Sequence, residues 1–322
     1  MQQYSFIKII QNGFLFCALT LLAALKASAA SLPNELLNAP ITLMSGEKTS
    51  LAQYKGKKPV YLKFLATWCQ PCREQMPHFE HVQQQYGDAI EVIGINVGLN
   101  DDIEEVNKVI KEFALTMPMA IDENGDLAQK FRLIGTPYHL LFDKDMNLVH
   151  TGHEADESLD NNLALVVATD KNATLTLEAL NPSVLIESEK DIALNTNDGK
   201  VHAVLFTATW CDWYWAESRA VAAKECITAQ NTVNALANKF PDVEWTGAVS
   251  RLWTEDKDLA DYTKKYKIAM PMHIDKSNRL FHQYKVTDIP ELILIKDNKA
   301  IQRVRNFKDI KAISALLAEQ KK

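Results

Sequence analysis

Positive charge, cysteine and long apolar runs are all scarce in this 322-residue chain. Thirty-five Lys and Arg face 41 Asp and Glu, for a net charge of −6, and no basic block interrupts the pattern. A chain without a basic surface is poorly matched to a phosphate backbone, which argues against nucleic acid as a main partner. Five cysteines are too few to staple a scaffold of this length. No further Cys or His pair stands near them at a spacing that completes a zinc tetrahedron, so neither a metal nor an organic cofactor is expected. The N-terminal apolar run, Gly13–Leu25, holds 13 residues, where a membrane-crossing helix needs about 20.

That run follows Lys8, precedes Lys26, and leads into Ala27-Ser28-Ala29-Ala30, with no acid among the first 30 residues. The pattern reads as a secretory signal peptide over residues 1–29 and places the mature chain in the periplasm or another extracytoplasmic compartment. An uncleaved N-terminal anchor is the alternative, because Lys26 is unusual so close to a cleavage point. Cys17 follows Phe16 rather than a small residue, so no lipid anchor is read there. Cys69, Cys72, Cys211 and Cys226 remain, an even number in a disulfide-permissive setting.

Their placement points to redox chemistry. Phe64–Cys72 reads FLATWCQPC. An apolar, β-forming run (Val60–Leu65) enters it and a helix-like segment (Arg73–Tyr86) leaves it. A cysteine at the start of a helix meets unpaired N–H groups and a partial positive charge, which lowers its pKa and makes it nucleophilic. A second cysteine three residues on can close a ring with the first and release a mixed disulfide. The helix is expected to kink at Pro77. Ile90–Val97 reads as a strand buried on both faces, and Asp101–Phe113 as an amphipathic helix capped by Asn100 or Asp101. Pro118–Ile121, Tyr138–Phe142 and Leu148–Thr151 follow as strands, with helices at Asn124–Phe131 and Leu159–Thr169. Strands alternating with helices, and an antiparallel hairpin at the end, indicate an α/β fold with a mixed sheet.

The pattern then repeats. FLATWCQPC returns 142 residues later as FTATWCDWY, while MPMAID (117–122) matches MPMHID (270–275), and Pro137 meets Pro290, at an offset of 153. The second copy therefore carries 11 extra residues between its cysteine motif and a helix expected at Asn231–Phe240. With residues 170–182 as linker, the chain divides into a signal segment (1–29), a first domain (30–172) and a second (173–322).

At FLATWCQPC, at the inserted Asp101–Ile121 segment and at Gly135-Thr136-Pro137, the first domain resembles the thioredoxin superfamily, specifically its exported TlpA/ResA-like thiol:disulfide oxidoreductases. The second resembles the same fold with a degraded motif, making two tandem thioredoxin-like folds, each a central mixed β-sheet flanked by helices. The resemblance implies a cis peptide before Pro137, with Thr136 and Pro137 facing the cysteines, and a matching loop at Ile289 and Pro290. It also implies that Cys69 is the accessible attacking thiol and Cys72 the buried resolver. Trp68 then shapes the docking surface, and Gln70 and Pro71 tune the redox potential.

Lys63 occupies a position where this superfamily often places a buried Asp, or Asn. It either favours the thiolate electrostatically or snorkels to an acidic partner. His78, His81 and His139 are expected to be structural or solvated. In the second copy Tyr214 replaces the resolving cysteine, and Cys211 and Cys226 either pair, as a disulfide or a second redox pair, or stay unpaired. As one straight helix they would stand about 22 Å apart, whereas bridging needs about 7 Å or less, so the pairing requires a break between them. The aromatic cluster Trp210, Trp213, Tyr214 and Trp215 is either a docking surface or core. The function expected is thiol–disulfide exchange with protein substrates, as reductant or isomerase, supplied by a membrane or periplasmic thiol reductase. A redox-linked binding or chaperone module and a thiol peroxidase are the alternatives.

Overall fold

Six consecutive buried residues, Val60–Leu65, form a strand that cannot alternate between core and solvent and must lie at the centre of a sheet covered on both faces. The computed structural model describes residues 31–171, 177–185 and 194–319. The expected signal segment, Cys17 and part of the expected linker lie outside them. No helix among the described residues is long and apolar enough to cross a membrane.

The chain opens with α1 (Asn34–Leu37), a small hairpin of β1 (Ile41–Thr42) and β2 (Lys48–Thr49), and α2 (Leu51–Tyr54). The central strand β3 (Val60–Leu65) follows, then α3 (Gln70–Glu74), α4 (Met76–Tyr86), β4 (Glu91–Asn96), α5 (Ile103–Glu112) and β5 (Met119–Ile121). After α6 (Asp126–Lys130) come β6 (Tyr138–Phe142), β7 (Leu148–Gly152) and α7 (Glu157–Lys171). The first sheet runs β5-β4-β3-β6-β7. β3 and β5 lie parallel to β4, while β6 is antiparallel to β3 and β7 to β6.

A second sheet repeats this order as β10-β9-β8-β11-β12. Its elements are β8 (His202–Thr207), α8 (Cys211–Tyr214), α9 (Ala220–Lys239), β9 (Glu244–Ser250), α10 (Asp256–Tyr266), β10 (Met272–Asp275), α11 (Arg279–Gln283), β11 (Glu291–Lys296), β12 (Lys299–Val304) and α12 (Ile310–Glu319). Details recur at the 153-residue offset. Asp122 accepts the Leu127 and Ala128 N–H groups at the start of α6, and Asp275 does the same for Leu280 and Phe281 at α11. Met119 lies over Gly94 and Met272 over Gly247, close enough that any side chain on either glycine would overlap the thioether.

Several expected boundaries shift. The break in the first long helix falls at Gln75, ahead of Pro77, which sits in the opening turn of α4 where a missing N–H costs nothing. The cap of α5 is Asp102, not Asn100 or Asp101: its carboxylate accepts the Glu104 and Glu105 N–H groups and Glu105 reaches back to its own N–H. The helix expected at Asn231–Phe240 begins at Ala220. The extra residues of the second sheet unit therefore do not all lie in the break. Most extend α9 backwards, and the break needed to bring Cys226 near Cys211 lies at residues 215–219, between α8 and α9.

Candidate active site

Cys69 is the N-cap of α3, and its sulfur accepts the Cys72 N–H at 3.2 Å. On the opposite side the same sulfur lies 3.3 Å from the Thr136 carbonyl, so the helix start and the Thr136–Pro137 loop meet at one atom. Cys69 and Cys72 are joined as a disulfide with Cα atoms 5.2 Å apart. The Thr136–Pro137 and Ile289–Pro290 peptide bonds are both cis. Pro71, at the second position of α3, needs no N–H partner there and stays exposed beside Gln70.

Beneath the motif lies a set of buried polar groups. Lys63 is wholly buried. Its Nζ donates to the Gln75 carbonyl at 3.3 Å and stands 5.0 Å from the centre of the Phe79 ring, rather than reaching an acid as the snorkelling reading required. Burial lowers its pKa to about 7. His139, directly across the strand pair from Lys63, is held between the Tyr61 hydroxyl at 2.6 Å and Gln75 Oε1 at 2.9 Å. Burial first, then the Lys63 charge, depress its pKa to about 2. His78 contacts Asp160 at the surface. In the second sheet the positions matching Tyr61, Lys63 and His139 are Ala203, Leu205 and Leu292, all buried apolar core.

The expectation that Cys69 is accessible fails: its exposure is 1%. The reason is the second sheet unit, which covers the motif. Trp68 and Trp210, the matching tryptophans of the two motifs, pack at 5.0 Å between ring centres, and Trp215 and Tyr214 close edge-on over Trp68. Trp68 is therefore interface core and not a free docking surface. Each of the paired indoles donates to a matching carbonyl, Trp68 to Leu99 and Trp210 to Leu252. The Tyr214 hydroxyl accepts the Gln70 N–H at 2.8 Å. Of the aromatic cluster, Trp210 and Trp215 are buried, while Trp213 is 61% exposed.

The two units clasp each other reciprocally. Asn100 N–H donates to the Thr287 carbonyl at 2.7 Å, and Trp253 N–H, its counterpart at the 153 offset, donates to the Ile134 carbonyl at 2.9 Å. The Asn100 side-chain amide also bonds both the N–H and the carbonyl of Ile289, as a peptide strand would. The Trp253 indole lies flat enough on Gly135 that a Cβ there would come within 3.0 Å of it. Arg219, which the sequence reading did not single out, donates to Thr67 Oγ1, Asp101, Glu105 and the Asn100 carbonyl. Asp101, its side chain fully buried, in turn accepts the N–H and hydroxyl of Thr67 at 2.7 and 2.5 Å. Only an unexplained arginine inside the inserted residues marked this contact in the sequence.

Cys211 and Cys226 are joined with Cα atoms 6.2 Å apart, closing a loop of sequence separation 15 that holds both Tyr214 and Arg219. Glu291, next to Pro290, is buried and paired with Arg303 and Arg305. Among the described residues no cluster of three or more His, Cys, Asp or Glu could hold a metal ion.

The model of the AhpC/TSA family matches residues 29–151. A thiol-disulfide oxidoreductase ResA of Bacillus thuringiensis subsp. konkukian is 30% identical over 138 residues, covering 42% of this chain and 78% of the relative. The thioredoxin-like protein YneN of Bacillus subtilis is 35% identical over 128 residues, covering 38% and 72%. The chain belongs to this thioredoxin-like family of thiol-disulfide oxidoreductases. The crystal structure of a secreted Mycobacterium tuberculosis disulfide oxidoreductase is 21% identical and covers 42% of this chain and 99% of that one, with a TM-score of 0.37. In this oxidoreductase the family match ends at β7, so the whole second sheet, with the cover it forms, lies beyond it.

Proposed function

We propose that the chain is an exported thiol-disulfide oxidoreductase that exchanges disulfides with protein substrates, acting as reductant or isomerase. Cys69 attacks a substrate disulfide, forming a mixed disulfide and releasing one substrate thiol. Cys72 then attacks Cys69, releasing the second thiol and leaving Cys69–Cys72 oxidised. The observation that carries this reading is the Cys69 sulfur at the head of α3, accepting the Cys72 N–H. A thiolate formed there is stabilised by that N–H and by the helix dipole. Reduction of the spent pair falls to a membrane or periplasmic thiol reductase. Export rests on the sequence of residues 1–29.

The chain is read as a tandem of two thioredoxin-like domains, 30–172 and 173–322. Matching strand orders and the equivalences at the 153 offset support the division. The binding-module alternative loses its main support, since Trp210 and Trp215 are spent inside the molecule. Insulin reduction by a dithiol, catalysed by the wild type, is expected to fall to the uncatalysed rate in Cys69→Ser. Full activity in that variant refutes the reading. In Cys72→Ser, substrate is expected to accumulate as a mixed disulfide on Cys69, detectable by mass.

A further inference from the structure

We propose that the Cys211–Cys226 disulfide is a redox latch that holds the second sheet unit closed over Cys69, and that its reduction opens the site to protein substrates. The inference rests on the reading of Cys69 as the reactive thiol and adds to it a control on access.

Three observations carry it. First, the closed contacts occupy the edge a substrate peptide needs. Ile134, two residues ahead of Thr136, already accepts the Trp253 N–H, the indole covers Gly135, and Cys69 has no exposed surface to offer a folded partner. Added strands recognise such edges through the main-chain groups now taken. Second, the groups that grip the first site from the inserted stretch lie inside the loop that Cys211–Cys226 closes. Tyr214 holds the Gln70 N–H, and Arg219 holds Thr67, Asp101, Glu105 and Asn100. Arg219 is also the N-cap of α9, where no side-chain cap bond is made. Its position therefore depends on the cross-link seven residues further along. Third, the closed face is imperfectly satisfied. Thr136 Oγ1 and Trp215 Nε1 are buried without a hydrogen-bond partner, and Trp215, which packs on Trp68 across the junction, regains water when the units part. That removes a penalty of the closed state.

The chemistry is an exchange with a dithiol reductant. One reductant thiolate attacks a sulfur of the Cys211–Cys226 bond, forming a mixed disulfide and releasing the other cysteine as a thiol. The second reductant thiol then displaces the remaining cysteine and closes the reductant's own disulfide. Two electrons and two protons pass to Cys211 and Cys226. Both sulfurs are buried, so reduction proceeds through fraying of the uncapped first turns of α9. With the cross-link open, the 215–219 segment loses its fixed span and Arg219 and Tyr214 leave their partners.

The test compares full-length oxidised wild type with a Cys211→Ala/Cys226→Ala double variant and with Arg219→Gln, which keeps the disulfide. Hydrogen exchange is followed in peptides covering Asn100 and Trp253, whose amides bond across the junction, with the β3 and β4 amides as the folding control. Both variants are expected to exchange at least ten-fold faster at the two junction loops, and by a larger factor there than at the β3 and β4 amides. Reduction of Cys69–Cys72 by a thioredoxin-sized protein dithiol is expected to accelerate at least ten-fold, while reduction by dithiothreitol changes less than three-fold. Junction exchange unchanged in the double variant overturns the latch. So does junction exchange that rises in Arg219→Gln without any gain in reaction with the protein dithiol. Should the double variant lose its sheet protection, selective reduction of Cys211–Cys226 in the wild type replaces it, with the same two outcomes. Exchange does not depend on Cys69 chemistry. Insulin reduction that persists in Cys69→Ser therefore removes the underlying reading while leaving the latch standing.

Discussion

Lys63 and His139 are the residues whose presence is hardest to explain by folding alone. The matching positions of the second sheet show that this architecture packs well with Leu205 and Leu292, so a buried cation against a buried imidazole is a local expense. The folded pKa of Lys63, about 7, lies below its ordinary 10.5. Between those values the unfolded chain holds the extra proton, so stability rises with pH across this window. Below about pH 7 the burial penalty is present in full. Lys63→Met is therefore expected to be more stable than wild type at pH 6, by on the order of a few kcal/mol at about 1.4 kcal/mol per unit, with the gain fading as pH approaches 10.5. Urea midpoints at pH 6 and pH 9.5 check this. If the Lys63 charge also favours the thiolate, the same substitution raises the Cys69 thiol pKa; an unchanged value makes the lysine structural only.

At the level of elements, the two sheets share a close approach that tolerates no side chain. Glycine at 94 and 247 leaves room for the thioethers of Met119 and Met272 from the neighbouring parallel strand. Gly94→Ala is expected to destabilise by about 1–3 kcal/mol through overpacking. Met119→Ala in the same chain should recover part of that loss, giving a coupling energy in a double-mutant cycle. Additive losses would show that the methionine moves aside freely. The strands themselves were readable because continuous apolar runs such as Val60–Leu65 and Ile90–Val97 set them locally. The start of α9 was not readable, because nothing in residues 215–228 distinguishes a bulge from a helix until Cys226 is tied back to Cys211.

At the level of the whole molecule, Arg219 and His282 each form ion pairs across the junction, and their environments rank them. Arg219 meets the Asp101 carboxylate, whose side chain is wholly buried, whereas the side chains of His282 and Asp126 are both substantially exposed. Arg219→Ala strands a buried carboxylate that still has Thr67 and Asn96 as partners, and about 2–4 kcal/mol is expected. His282→Ala is expected to cost less than about 1 kcal/mol. Comparable shifts in the two denaturation curves would contradict the ranking. The same junction accounts for the burial of Cys69, since a thiol at the head of α3 would otherwise face solvent.

The sequence by itself determined the local chemistry and the element order. A strand ending in Trp-Cys-x-x-Cys, a proline far downstream and a repeat at fixed offsets are all written in residue type and spacing, and short-range propensity is enough to read them. The relation between the two sheet units was decided only in three dimensions. FLATWCQPC and FTATWCDWY face each other, Asn100 and Trp253 reach into opposite loops, and Arg219 bridges them. These contacts join residues more than a hundred positions apart, and no local pattern encodes which surface of one sheet unit will desolvate against the other.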